Sequence, residues 1–135
     1  EGAGAAGGLG FAFLSYLGAD LQPGIDLVLD AVEMEEAMKG ADLVFTGEGR
    51  LDYQTAMGKA PVGIAKLAKK YGAKVIALAG AVIEGAEECN ANGIDAYFPI
   101  LQQIVTLDEA MDPERAKQNM TKTTEQIIRL VAAVR

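Results

Sequence analysis

Leu43-Val44-Phe45-Thr46-Gly47-Glu48-Gly49-Arg50-Leu51-Asp52-Tyr53-Gln54-Thr55-Ala56-Met57-Gly58-Lys59 joins a short apolar run to a stretch dense in glycine and charge. Leu43–Phe45 has the β-branched and aromatic content of a buried strand and is too short for a helix. Thr46–Lys59 then reads as a loop leaving the strand end. Gly47 and Gly49 flank an acid, so a ligand can approach backbone where a Cβ would collide. Arg50, Asp52, Gln54, Thr55 and Lys59 follow closely. In open α/β sheets, ligands bind beyond the carboxyl ends of the strands, where such a loop lies. A ligand-contacting loop is the expectation; a solvated turn whose charges pair with one another is the alternative.

The flanking sequence supplies the rest of an α/β unit. Downstream, Pro61 suits a helix's first turn, and Val62, Ala65, Leu67, Ala68 and Tyr71 give a helical stripe that stops at Gly72. Lys66, Lys69 and Lys70 read as its solvated C-terminal face. Lys74–Gly80 is a second strand, and strand, helix, strand in this order implies parallel pairing with a right-handed crossover. Glu84–Asn92 reads as a short helix stopped by Gly93, Asp95–Phe98 as a third strand, and Asp112-Pro113 as the start of a closing helix. Its inner stripe is Ala116, Met120, Thr123, Ile127, Val131 and Val134. Upstream, Pro23-Gly24 is a turn, followed by an irregular helix from Ile25 through Met38 that ends at Gly40. The expected architecture is three-layer α/β with a parallel sheet, residues 1–135 forming one domain or a fragment of a larger one.

With 135 residues, half of them hydrophobic, the chain can bury one real core. Its net charge of −7 is unevenly placed. Residues 1–57 hold ten acids against two bases, a net −8, whereas residues 58–135 hold nine against ten, a net +1. A surface this acidic, with no basic run, repels nucleic acid and anionic lipid. There is no histidine, which removes Ser-His-Asp and Cys-His catalysis and the usual zinc sites. The single cysteine, Cys89, fits a reducing cytoplasm, and the acids beside it disfavour a thiolate nucleophile. Residues 2–19 carry no charge, but six of these eighteen are glycine, which suits neither a membrane span nor a signal peptide.

The chain opens on Gly2-Ala3-Gly4-Ala5-Ala6-Gly7-Gly8-Leu9-Gly10, which runs into Phe11–Leu17, an apolar stretch of helical length ending at Gly18. Gly2, Gly4 and Gly7 fit G-x-G-x-x-G, whose physical use is to bring a helix N-terminus against a phosphate. No strand precedes it in this sequence, and close helix packing explains the same glycines. Thr46–Lys59 is not a P-loop either, because Ala60 follows Gly58-Lys59 and Tyr53 stands where the leading glycine belongs. Its side chains still suit phosphoryl transfer, in which carboxylates handle a hydroxyl proton or Mg²⁺ while Arg and Lys neutralise phosphate.

The two glycine-rich motifs together, Gly2–Gly10 and Thr46–Asp52 with Gln54-Thr55 and Gly58-Lys59, resemble the C-terminal part of bacterial glycerate kinases of the type 1 family. The resemblance runs along nearly the whole chain. It implies the last third of a longer, two-domain α/β kinase whose preceding segment completes the site. It also implies ATP- and Mg²⁺-dependent phosphorylation of D-glycerate to a phosphoglycerate. Carried onto this sequence, Gly47, Glu48, Gly49, Arg50 and Asp52 match the acidic loop, and Gly4, Gly7 and Gly8 the glycine-rich turn. The roles expected are Asp52 to orient or deprotonate the glycerate hydroxyl, Glu48 to coordinate Mg²⁺, and Arg50 and Lys59 to neutralise carboxylate or phosphate, with Gln54 and Thr55 as further binding residues. Glu48 and Asp52 can exchange roles. The competing reading is a non-catalytic anion-binding or assembly module, and a homo-oligomer remains open.

Overall fold

The computed structural model describes residues 4–134, so Gly2, the first glycine of the N-terminal motif, lies outside the described residues. The elements in chain order are α1 (Ala5–Leu17), α2 (Gly24–Ala31), α3 (Met34–Met38), β1 (Leu43–Leu51), α4 (Tyr53–Ala56), α5 (Ala60–Lys70), β2 (Lys74–Val82), α6 (Glu88–Ala91), β3 (Ala96–Pro99), α7 (Leu107–Met111) and α8 (Pro113–Val134). The three strands form a parallel sheet in the order β1-β2-β3, with Leu43 opposite Lys74 and Ile76 opposite Ala96.

Alternation along β2 sorts the core into two layers. Val75, Ala77 and Ala79 meet Val62, Ala65 and Ala68 of α5 on one face, together with Cys89 and Ile94 around α6. Ile76 and Leu78 meet Ile100 and Ile127 on the other, under α8. A central parallel strand covered by helices on both sides reads as the continuous apolar run seen here. The fold is therefore α/β, with helices on both faces of a parallel sheet, as the sequence led us to expect.

Several boundaries differ from the sequence reading, each for a physical reason. β1 continues through Gly47, Glu48 and Gly49 to Leu51, so the Gly-Glu-Gly motif is strand and not the loop expected from it. The ladder to β2 persists because glycine permits an approach that larger residues forbid. A Cβ at Gly47 would overlap the Leu78 carbonyl oxygen, and one at Gly80 would lie 2.7 Å from the Gly49 oxygen. The helix expected over Ile25–Met38 is two helices, broken where Glu33 takes a left-handed φ of 52°. The helix expected over Glu84–Asn92 shrinks to α6, because Gly85 adopts a φ of 86° beneath Tyr53.

α8 starts as expected, Asp112 accepting the Arg115 N–H at 2.8 Å. Of its expected inner stripe, Ile127 is buried and Ala116 packs beside it, while Met120 and Val134 are exposed. α1 carries large apolar side chains in the open, including Phe11, Leu14, Leu17 and Tyr16, the last 81% exposed.

The glycine contacts give a paired test. Gly47→Ala should cost about 1–3 kcal/mol, as overpacking does. Gly49→Ala, with no atom within 4 Å of the new methyl, should stay within about 0.5 kcal/mol. Urea unfolding of the two variants measures the difference, and equal midpoints would contradict the close approach of β1 and β2.

Candidate functional site

The end of β1, the short helix α4 and the start of α5 bring Glu48, Arg50, Asp52, Thr55 and Lys59 together. Residues 48 and 50 are two apart in a strand, so their side chains leave the same face. Asp52 ends the strand in extended conformation and caps α4. Its Oδ1 accepts the backbone N–H groups of Gln54 (3.0 Å) and Thr55 (3.2 Å), and the Asp52 N–H donates to Thr55 Oγ1 at 3.3 Å. This reciprocal capping box satisfies donors that a helix start would otherwise leave unpaired. Lys59, the residue before α5, reaches the same Oδ1 at 3.5 Å.

The other carboxylate oxygen, Oδ2, accepts from Arg50 Nε at 3.1 Å and lies 3.1 Å from its terminal nitrogen. Asp52 is thus a buried anion with its acceptor positions engaged, its side chain only 3% exposed. The two cations face outward, Arg50 with 61% and Lys59 with 40% of the side chain exposed. The arrangement holds positive charge at the surface on an internal negative anchor. Burial alone would push the Asp52 carboxyl up, but the Thr55 N–H bond, the Lys59 charge and the Arg50 and Lys59 side-chain hydrogen bonds outweigh it, holding the carboxyl below its ordinary 3.8.

Glu48 is half-buried beside this anchor, and the fully buried Thr55 donates its hydroxyl to Glu48 Oε1. Gln54 enters through its backbone, its side-chain amide turning to the Tyr53 hydroxyl at 3.3 Å. Gly47 and Gly49, with Thr46 and Glu48, line an apolar cleft of about 590 Å³ that lies between Phe45, Leu78, Gly80, Ile100, Met111 and Met120. Gly4, Gly7 and Gly8 take no part in these contacts. Each has open space where a Cβ would stand, and Gly7 and Gly8 carry φ of 66° and 98°. Cys89 is buried near the cluster. Burial pushes its thiol up, and Glu48 and Asp52 add to that, so it stays protonated and unreactive.

Among the described residues, no three acidic or cysteine side chains converge on a metal position. Asp52 is committed to two cations, which leaves Glu48 as the carboxylate in this cluster that suits a hard divalent ion. One carboxylate is enough where phosphate oxygens and water complete an octahedral shell. The cleft lies where the strand-end crevice is expected, with Gly80 in its wall, but the helix α7 over it was missed by sequence reasoning, although Thr106-x-x-Glu109 is a capping box and marks that helix.

Residues 1–132 match the family model described as the glycerate kinase family. Glycerate kinase of Halalkalibacterium halodurans is 49% identical over 133 residues, covering 98% of this chain and 33% of that protein. Glycerate kinase of Bacillus subtilis is 50% identical, covering 94% and 33%. Glycerate 2-kinase of Escherichia coli is 49% identical, covering 81% and 29%. A crystal structure assigned to glycerate kinase 2 of Salmonella typhimurium LT2 superposes with a TM-score of 0.68 at 39% identity, covering 98% of this chain and 32% of that one. The chain spans about a third of the length of these relatives.

The lowered Asp52 carboxyl fixes the sign of a pH effect. The folded state binds this proton less tightly than the unfolded chain, so the stabilisation is complete above about pH 5 and fades as the pH falls through the lowered value. Asp52→Asn should therefore be less stable at neutral pH and lose less stability on acidification, a flatter limb between roughly pH 5 and 2. Some slope should persist, because Asp95 and Glu109 are also held low. Thermal melts across that range measure it, and parallel curves for the two proteins would remove the charge role given to Asp52.

Proposed function

This chain belongs to the glycerate kinase family, and we propose on that footing that it forms part of a cytoplasmic enzyme phosphorylating D-glycerate to a phosphoglycerate with Mg·ATP. Residues 1–135 serve in it as an α/β unit of the larger protein, whose remainder completes the site. The observation that carries this reading is the pair of surface cations fixed on the buried Asp52 carboxylate, beside Glu48. Phosphoryl transfer asks a protein chiefly for positioning and for positive charge around the transferring group. Arg50 and Lys59 supply the charge, and their common anchor supplies the positioning.

In the reaction, the glycerate hydroxyl oxygen forms a bond to the γ-phosphorus of ATP, the bond from that phosphorus to the leaving ADP oxygen breaks, and the hydroxyl proton departs to a base. Arg50 and Lys59 bind the glycerate carboxylate or the phosphate oxygens. Glu48 is the carboxylate better placed to meet the hydroxyl or to ligate magnesium, its orientation held by the Thr55 hydroxyl. Asp52 orients: it accepts from both cations and from two backbone amides, and its lowered affinity for a proton suits an anchor better than a base. Gly47 and Gly49 leave the backbone open on the side of β1 that faces the apolar cleft, and Gly4, Gly7 and Gly8 offer a second bare backbone stretch for a phosphate. Among the described residues, no helix is long and apolar enough to cross a membrane.

The test uses the full-length protein carrying this segment, with ADP release coupled to a spectrophotometric readout in Mg·ATP and D-glycerate. Glu48→Gln should lower kcat by about 10²–10⁴-fold, the usual contribution of a positioned proton acceptor. Full activity in that variant would remove Glu48 from the chemistry. No ADP release from the wild type, with ligand binding intact, would leave an anion-binding module in place of a kinase.

A further inference from the structure

Gly49 is a glycine that the local structure does not require. Inside a strand, glycine costs stability, and it marks a bulge, a bend or a place where a ligand or another backbone comes close. β1 and β2 keep one register from Leu43 opposite Lys74 to Leu51 opposite Val82, so no bulge accounts for it. Its φ is not positive, so no left-handed turn does either. Gly47 and Gly80 are held to glycine by the facing strand, but no described atom lies within 4 Å of where a Cβ would stand at Gly49. Close approach by a group outside the described residues is what remains.

Gly49 lines the cleft at the carboxyl ends of β1 and β2, the end of an open α/β sheet where ligands bind. The cleft's volume of about 590 Å³ is that of a small-molecule pocket. Its walls are largely apolar, and among the described residues Thr46 and Glu48 are the polar side chains that line it. Met111 and Met120 stand exposed at its wall, and flexible thioether chains make favourable contacts with aromatic rings. D-Glycerate bears oxygen on every carbon and offers such walls nothing to cover, whereas a nucleotide carries a planar ring with apolar faces. Glu48 belongs to both places, lining the cleft and accepting the Thr55 hydroxyl beside Asp52. A ring held in the cleft therefore has its phosphates next to the cations.

We propose that this cleft is the nucleobase subsite: the adenine ring of ATP lies against the bare backbone of Gly49, with Met111 and Met120 beside it, and the triphosphate runs past Glu48 toward Arg50 and Lys59. The assignment rests on the kinase reading above and deepens it, because it separates the two substrates. ATP takes the apolar cleft, and D-glycerate is left to the charged cluster.

Photolabelling of the full-length wild-type protein with 8-azido-ATP and Mg²⁺, mapped by mass spectrometry, tests it. Label on Phe45, Met111 or Met120 that excess ATP abolishes is the expected result. Label confined to other segments, with ADP release intact, would overturn the subsite and leave the kinase reading standing. Calorimetry on full-length Gly49→Ala supplies a second readout. Its affinity for Mg·ATP should fall about tenfold or more, the usual cost of one misplaced methyl group in a close contact. Affinity for magnesium tripolyphosphate, which has no base, and for D-glycerate should stay within about twofold, and the melting temperature within ~2 °C. An equal loss for tripolyphosphate would put the phosphates against Gly49 and overturn the assignment of the base. Unchanged ATP affinity with a lowered melting temperature would mean that protein backbone packs there, and would overturn it equally. A wild type that neither binds nucleotide nor releases ADP would remove the kinase reading and the subsite with it.

Discussion

One buried carboxylate organises the end of this sheet. Asp52 ends β1, starts α4 and holds Arg50 and Lys59, so three elements and two charges share a single anchor. A carboxylate taken out of water is costly unless its lone pairs are satisfied. Here two backbone amides and two cations satisfy them, and the same bonds fix the cations in space. Local folding and the electrostatics of the site are thereby the same set of contacts. Removing the charge loosens the α4 cap and frees both surface cations at once.

The strand geometry divides the labour between two faces. Glu48 and Arg50 reach toward the Asp52–Thr55 cap, while the glycines at 47 and 49 leave backbone bare along an apolar cleft that Thr46 and Glu48 also line. Glycine at 47 is also what lets β1 and β2 approach closely enough to keep their register. The charged groups of this motif thus sit on a strand whose glycines leave backbone bare. The cleft, walled by Met111 of α7 and Met120 of α8, presents an apolar surface beside Glu48.

Much of this was legible in the residues, and the failures have physical causes. A helical stripe ending at Gly72 located α5, a continuous apolar run buried on both faces located β2, and the Asp112-Pro113 start located α8. The grouping of Glu48, Arg50, Asp52, Thr55 and Lys59 was also readable, since all lie within twelve residues of one another. The state of Gly47–Leu51 was not: glycine and charge read locally as loop, and only the partner strand makes them β. The two short helices α4 and α7 rest on capping boxes with little apolar pattern of their own. The division of roles between Glu48 and Asp52 could not be read from spacing, because it turns on which carboxylate is spent on neighbours in three dimensions. α1 leaves Leu9, Phe11, Leu14, Tyr16 and Leu17 exposed among the described residues.

We propose that Arg50 and Lys59 receive a substrate anion on the anchor that Asp52 provides. Calorimetric titration of the full-length protein with D-glycerate and with Mg·ATP, comparing wild type with Arg50→Gln, tests that directly. Loss of about 1.4 kcal/mol or more, tenfold in affinity, for at least one of the two ligands is the predicted result. Unchanged affinity for both would contradict the claim that this cluster is where the substrate's charge is met.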